Sequence, residues 1–335
     1  MTTASALACR SQTDGKVASH SSEGKAAPVT ATVPKRQLGR TGELVSMLGL
    51  GGFHIGQSSL SDDEAVALIR RAVDGGITFL DNCWDYNEGK SEERMGKALE
   101  GGYRQRAFLM TKLDGRSRDV ARAQLGQSLE RLKTDRIDLV QIHEIIRAED
   151  PGRCFAPNGA IHALIEARRE GKLRYIGFTG HKDPKFHLAM LETAKKHGFT
   201  FDTVQLPLNV MDAQYASFEK AVLPVLLEQN IGVLGMKSLG AGDILKSGVV
   251  KAEECLRYAL TLPTSVVITG IDSEQILDQG LTVARSFRPY DESERRELLA
   301  RAADAAKNGE YEQFKTSEKF DGTERNKHWL EEARL

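Results

Sequence analysis

Eight short apolar runs recur along this chain, and each is followed by a segment with apolar residues at helical spacing. The runs begin at Met47–Leu50, Ile77–Leu80, Phe108–Met110 and Ile137–Ile142, and continue at Tyr175–Phe178, Thr203–Leu206, Gly232–Leu234 and Val266–Ile268. Strands that are apolar throughout are buried on both faces, as parallel strands are. The first helical segment shows the pattern clearly. Ser61 and Glu64 form a capping-box signature, Ala65, Leu68, Ile69 and Ala72 share one face, and Gly75-Gly76 stop the helix. Further helices are expected near 91–99, 120–132, 160–169, 185–197, 218–229, 252–260 and 273–285. Eight βα units in succession predict an α/β protein, a closed (β/α)8 TIM barrel whose site lies at the C-terminal ends of the strands. An open doubly wound sheet would need a Gly-rich βα turn. Leu48-Gly49-Leu50-Gly51-Gly52 lacks that spacing.

Before the first unit, RQLGRTGELVS (residues 36–46) reads as a β-hairpin turning at Gly39-Arg40-Thr41-Gly42. After the last, an extra helix is expected over 291–308, followed by an irregular tail to Leu335. Residues 1–34 are rich in Ser, Thr, Ala, Gly and Lys without any period, and read as a disordered tail ahead of a barrel domain over 35–335. Ala4–Ala8 before Cys9 faintly resembles a lipoprotein cleavage site, but no charged segment precedes it and the apolar stretch is short. The expectation is therefore a cytoplasmic protein. Cys9, Cys83, Cys154 and Cys255 show no CxxC pair and no zinc spacing, so reduced thiols and no metal are expected. A net charge of −1 gives no global attraction to nucleic acid or anionic membrane, and no apolar run is long enough to span a bilayer.

Four residues at or just past the runs carry chemistry. Asp81 ends ITFLD, Lys112 ends FLMTK, His143 ends IDLVQIH, and Tyr86 follows Asp81 by five residues. In a barrel these groups converge. Free tyrosine, with a pKa near ~10, is a weak acid at neutral pH. A neighbouring ammonium, Lys112, is expected to lower that value, with Asp81 holding the amine in place. His143 is expected to hydrogen-bond a carbonyl oxygen or relay the proton. Singly, each residue reads as readily as a turn, packing or solvated group; their joint placement at consecutive strand ends sets them apart.

The opening LGRTG…VS…GLGG, the stretch FLDNCWDYNEGKSEERMGKAL, the MTK strand and SLERLKTDRIDLVQIH resemble the aldo-keto reductase family. The resemblance implies Tyr86 as general acid, Lys112 and Asp81 as its tuning pair, and His143 as substrate orienter. It also implies a nicotinamide cofactor lying across the barrel mouth, NADP(H) by default with NAD(H) as the alternative. Thr179 and Gln205 would meet the carboxamide, and Met236 would lie against the ring. Lys237, Ser238 and Leu239 would sit near the pyrophosphate, with Gly52 and Phe53 lining the cleft. Gln275, Asp278 and Gln279 would grip the adenosine end.

Three departures from the family pattern stand out. Thr179-Gly180, followed by His181, replaces a Ser-Asn pair. Met236 stands where many members carry an aromatic. The adenosine segment has Gln275 where a basic residue is common, with Asp272 close by. An aspartate there opposes a 2′-phosphate, the argument for NAD(H). The loop after His143 carries Glu144, Arg147, Glu149, Asp150 and Arg153, which suggests a small polar carbonyl or alcohol substrate. Two rivals stay open at this point. One is a redox-sensing subunit that binds the cofactor with little turnover. The other is a non-redox barrel enzyme using Lys112 as a Schiff-base amine.

Overall fold

The computed structural model describes residues 32–331. A two-stranded antiparallel hairpin comes first, β1 (Lys35–Gln37) and β2 (Leu44–Ser46). Eight parallel strands then close into a barrel: β3 (Leu48–Gly51), β4 (Phe79–Asp81), β5 (Phe108–Leu113), β6 (Ile137–Ile142), β7 (Leu173–Thr179), β8 (Thr203–Pro207), β9 (Gly232–Met236) and β10 (Val266–Gly270). Each neighbours the next in chain order, and β10 pairs back onto β3. The barrel read from the eight apolar runs is the observed fold.

Side chains alternate faces along a strand, and this places the chemistry. On β5 the inward set is Phe108, Met110 and Lys112; on β4 it is Phe79 and Asp81. The lower members pack into one buried cluster with Leu38, Val45, Leu139, Leu234, Val266 and Ile268. Phe79, Phe108 and Tyr175 stack in sequence there, with ring centroids 5.2 and 6.2 Å apart. The upper members are the polar candidates. Thus the barrel is filled with apolar side chains below and ends in a polar layer above, at the strands' C-terminal ends.

The hairpin closes the lower end. Leu38 is fully buried in the cluster just described. Gly39 has a φ of +50° and lies so close to β9 that a Cβ would sit 2.3 Å from the Gly232 nitrogen, which only glycine allows.

Three features differ from the sequence reading. The expected helix over 218–229 is two pieces, Phe218–Ala221 and Leu223–Glu228, because Pro224 cannot continue a helix and can only begin one. Val33 is buried and the Pro34 carbonyl accepts from the Met47 nitrogen at 2.9 Å, so packed chain begins before residue 35. The rest of the expected tail, residues 1–31, lies outside the described residues. Finally, the segment after the Glu292–Ala306 helix, read as an irregular tail, forms short helical turns at Gln313–Thr316, Gly322–Arg325 and His328–Glu331, with Phe314, Lys315, Asp321, Thr323, Trp329 and Leu330 buried. No helix of the described residues is long and apolar enough to cross a membrane.

Leu38→Ala removes the side chain that fills the barrel floor. We expect it to lower the unfolding free energy by about 2–5 kcal/mol in urea denaturation, as large-to-small core changes do. A loss below about 1 kcal/mol would show that the hairpin is not part of the core.

Candidate active site

Asp81 is the last residue of β4, Lys112 lies near the end of β5, and His143 directly follows β6. Tyr86 begins a tight turn over Tyr86–Gly89, where Asn87 and Glu88 have positive φ. The three strand ends are adjacent, so four residues spread over 62 positions meet at one rim.

Lys112 is the hub. Its side chain is 1 % exposed. The ammonium donates to Asp81 Oδ1, to the Asn82 carbonyl at 2.8 Å and to Tyr86 Oη at 3.2 Å. An ammonium has three protons and no lone pair, so these three acceptors satisfy it. Tyr86 Oη must accept from Lys112, which leaves the phenol proton to point elsewhere. Asp81 Oδ2 accepts from Gln205 Nε2 at 3.1 Å. Burying such a pair is tolerable only with this degree of completion.

The ammonium was expected to lower the Tyr86 pKa. Here it lies well above the ordinary value, first because burial disfavours the phenolate and then because Asp81, Cys83, Asp85 and Glu144 add negative potential. Asp81 offsets the Lys112 charge, so the amine alone does not set the balance. The phenol is held protonated.

His143 uses Nδ1 toward the protein. That atom lies 2.9 Å from Asp114 Oδ1, 3.2 Å from Cys83 Sγ and 3.7 Å from Asp85 Oδ1. Nε2 is therefore the atom able to meet a substrate. Burial holds the imidazole below its usual pKa. Burial likewise pushes Asp85 up to about 7 and Asp114 up to about 8, and raises the Cys83 thiol. Asp85 and Asp114 were not candidates from sequence, and Cys83 stood out there only as a reduced thiol between Asp81 and Tyr86.

Thr179 and Gln205 are register partners across β7 and β8, at the same level as Asp81. Gln205 Oε1 is buried without a hydrogen-bond partner, and Thr179 Oγ1 lies 3.8 Å from the Met236 sulfur. An amide with one group satisfied and one waiting suits a ligand carboxamide. Lys237 is half-buried with φ +58°, stands over the Phe320 ring at 4.3 Å, and has no carboxylate within 4.0 Å among the described residues. Ser238 is buried beside it and Leu239 half-buried. Gly52 lies so near β4 that a Cβ would be 2.6 Å from the Asp81 carbonyl, and Phe53, 46 % exposed, meets the Tyr86 ring edge-on at 5.5 Å. Of these residues Gln205 and Phe53 touch the tetrad directly, and the unpaired Gln205 amide oxygen is chemistry that a nicotinamide carboxamide would satisfy.

The adenosine-end candidates do not join them. Asp278 accepts two hydrogen bonds from Arg71 at 2.8 and 3.0 Å, Gln279 donates to Glu253, and Gln275 is exposed. An open groove of about 500 Å³ lies at the opposite end, lined by Arg36, Leu227, Leu262 and Phe287 among others, and holds none of the groups above.

Four of the five loop charges that suggested a polar substrate are committed elsewhere, and Glu149 is exposed. Glu144 accepts from Gly322 and Thr323, Arg147 pairs with Glu324, Asp150 with the buried Arg116, and Arg153 with Glu331. Glu144, Arg147 and Arg153 fasten the C-terminal segment across the mouth. His181 and Lys182 do the same through Asp321, and Lys315 through Asp212.

The parallel eight-stranded barrel thus carries Asp81, Lys112, Tyr86 and His143 together at its C-terminal rim. The sequence profile described as the aldo/keto reductase family matches residues 47–253, and the chain belongs to that family. It is 31 % identical over 216 residues to aldo-keto reductase YhdN of Bacillus subtilis, covering 60 % of this chain and 61 % of that one. It is 29 % identical over 231 residues to L-galactose dehydrogenase of Arabidopsis thaliana, covering 64 % and 67 %. The chain thus spans about two thirds of the length of the curated relatives it matches. Among solved structures, a putative aldo-keto reductase from Pseudomonas aeruginosa matches with a TM-score of 0.63 at 25 % identity, covering 79 % of this chain and 100 % of that one. Aldo-keto reductase AKR11C1 from Bacillus halodurans, in its holo form, matches with a TM-score of 0.67 at 22 % identity, covering 80 % and 96 %, a likeness of fold.

Lys112→Met strands Asp81 as a buried unpaired carboxylate, and should lower stability by about 3–5 kcal/mol. Asp81→Leu combined with Lys112→Met should recover much of that loss in the same denaturation experiment. Equal losses in the single and double variants would show that the pair is not coupled.

Proposed function

We propose that this protein reduces the carbonyl group of a small aldehyde or ketone to an alcohol, or runs the reverse oxidation, with a nicotinamide dinucleotide. The observation that carries this reading is the Tyr86 hydroxyl, which accepts from Lys112 and keeps its own proton for transfer. A bound nicotinamide dinucleotide supplies the hydride. Tyr86 gives its proton to the carbonyl oxygen, and Lys112 stabilises the phenolate that forms. Asp81 fixes Lys112 in place, and His143 Nε2 orients the same carbonyl oxygen. Thr179 and Gln205 would hold the carboxamide, Met236 would lie on the ring, and Lys237, Ser238 and Leu239 would face the pyrophosphate.

The Schiff-base reading of Lys112 loses ground. A lysine nucleophile must be neutral, and this amine gives all three protons to fixed acceptors. The sensor reading gains no specific support. NADP(H) is the cofactor that family membership implies; the segment from Gly270 to Gln279 carries Asp272 and Gln275 and no cation of its own for a 2′-phosphate, which supports NAD(H). Parallel fluorescence titrations with NADPH and NADH decide between them. Cys83, Cys154 and Cys255 are buried and free, as suits the reducing, cytoplasmic setting we infer.

Tyr86→Phe should cut kcat by about 10²- to 10⁴-fold on an active carbonyl substrate while cofactor affinity stays unchanged. Undiminished turnover would overturn the assignment. Burial pushes the Lys237 amine down to about 8. The charged form attracts the pyrophosphate, so cofactor affinity should be full below that pH and fall as pH rises through it, by up to about tenfold per unit. Lys237→Met should flatten the profile. Affinity that is level from roughly pH 7 to 9 in the unaltered protein would contradict the role given to Lys237.

A further inference from the structure

Behind His143 lies a second cluster, of which the proposed reduction uses only His143, through its other ring nitrogen. Cys83 Sγ, Asp85, Asp114 and His143 Nδ1 come from three different βα loops, and one ligating atom from each falls within 4.8 Å of every other. Three of the separations are 2.9 Å (His143–Asp114), 3.2 Å (His143–Cys83) and 3.7 Å (His143–Asp85). A tetrahedral zinc site with ligand bonds of about 2.0–2.3 Å has ligand-to-ligand edges of about 3.3–3.7 Å. The three separations from His143 Nδ1 run from just below that range to its upper edge, and the other three do not exceed 4.8 Å.

The polar accounting is incomplete without an occupant. Asp114 is wholly buried, yet its Oδ2 has no hydrogen-bond partner, and neither has Asp85 Oδ1, the oxygen that faces His143. The nearby cations are engaged elsewhere: Lys112 with Asp81, and Arg116 with Asp150. Two carboxylates and a thiol gathered on one imidazole nitrogen, with no cation of their own, form an arrangement that a dication completes. We propose that Cys83, Asp85, Asp114 and His143 form a four-coordinate site for a zinc-like divalent transition metal.

The donor set selects the metal class. A sulfur and an imidazole exclude Mg²⁺ and Ca²⁺, which take oxygen ligands, and favour Zn²⁺ or a borderline ion of similar size. The supporting contacts are in place: the Cys83 nitrogen donates to Asn82 Oδ1 at 2.8 Å, and the Asp114 nitrogen to Gln124 Oε1 at 2.9 Å. Entry runs past Asp85, the most exposed of the four, with its side chain 13 % accessible. Metal on Nδ1 fixes the ring proton on Nε2, which makes His143 a permanent donor toward the cleft. The site shares His143 with the reductase reading but engages the other ring nitrogen, and it is tested without turnover.

The test uses the full chain purified without chelator, followed by metal analysis. The chain is then stripped and titrated with Co²⁺. The result expected is one bound ion per chain, with a thiolate-to-cobalt charge-transfer band and the strong visible bands of four-coordination. Cys83→Ser should abolish the charge-transfer band, and Asp85→Asn should weaken Co²⁺ binding more than about tenfold. No retained metal together with no cobalt band, or a band indifferent to Cys83→Ser, overturns the proposal. If either variant fails to fold, X-ray absorption on the zinc-loaded natural chain decides instead. One sulfur and three nitrogen or oxygen neighbours uphold the site, and a shell without sulfur overturns it.

Discussion

The upper half of this barrel is organised around one buried ion pair, Lys112 with Asp81. An ammonium sealed inside a protein must find three acceptors or be lost as a charge. Here the acceptors are a neighbouring strand's carboxylate, the carbonyl beside it and the phenol of Tyr86. That requirement locks the Tyr86 turn to β4, sets the direction of the phenol proton and, through Asp81, orients Gln205. The geometry of the site follows from satisfying a single cation.

A second tier of charge holds the mouth together. Glu144, Arg147, Asp212 and His181, all on βα loops, bind the C-terminal segment through Thr323, Glu324, Lys315 and Asp321. Several of these groups are buried, so removing one partner would strand the other. Phe320 under Lys237 extends the contact to the residue assigned to the pyrophosphate. The barrel mouth is therefore walled by a segment distant in sequence.

The barrel was legible in the sequence because parallel strands buried on both faces leave continuous apolar runs, and because the helices between them carry caps and periodic faces. Asp81, Lys112 and His143 were legible as polar residues ending such runs. Pro224 carried a readable signal for the broken helix. The C-terminal segment carried none, since it is held by hydrogen bonds and ion pairs to residues far away in sequence, such as Glu144, which accepts from Thr323 179 positions on. The Cys83–Asp85–Asp114–His143 cluster was invisible for the same reason: its members obey no spacing rule and meet only when three loops converge. The expected fall in the Tyr86 pKa failed because sequence shows the neighbouring ammonium but not the depth of burial or the surrounding carboxylates.

The claim beneath this account is that the Tyr86–Lys112 rim is where a carbonyl is reduced. The most direct measurement is isotope transfer. A carbonyl substrate is incubated with the protein and a nicotinamide cofactor carrying deuterium at C4, and the alcohol is analysed by mass spectrometry and NMR. The account predicts deuterium on the carbinol carbon and none there when the label is in the solvent. An alcohol labelled at that carbon from water, or a barrel that binds the cofactor and never transfers the label to any carbonyl, would contradict it.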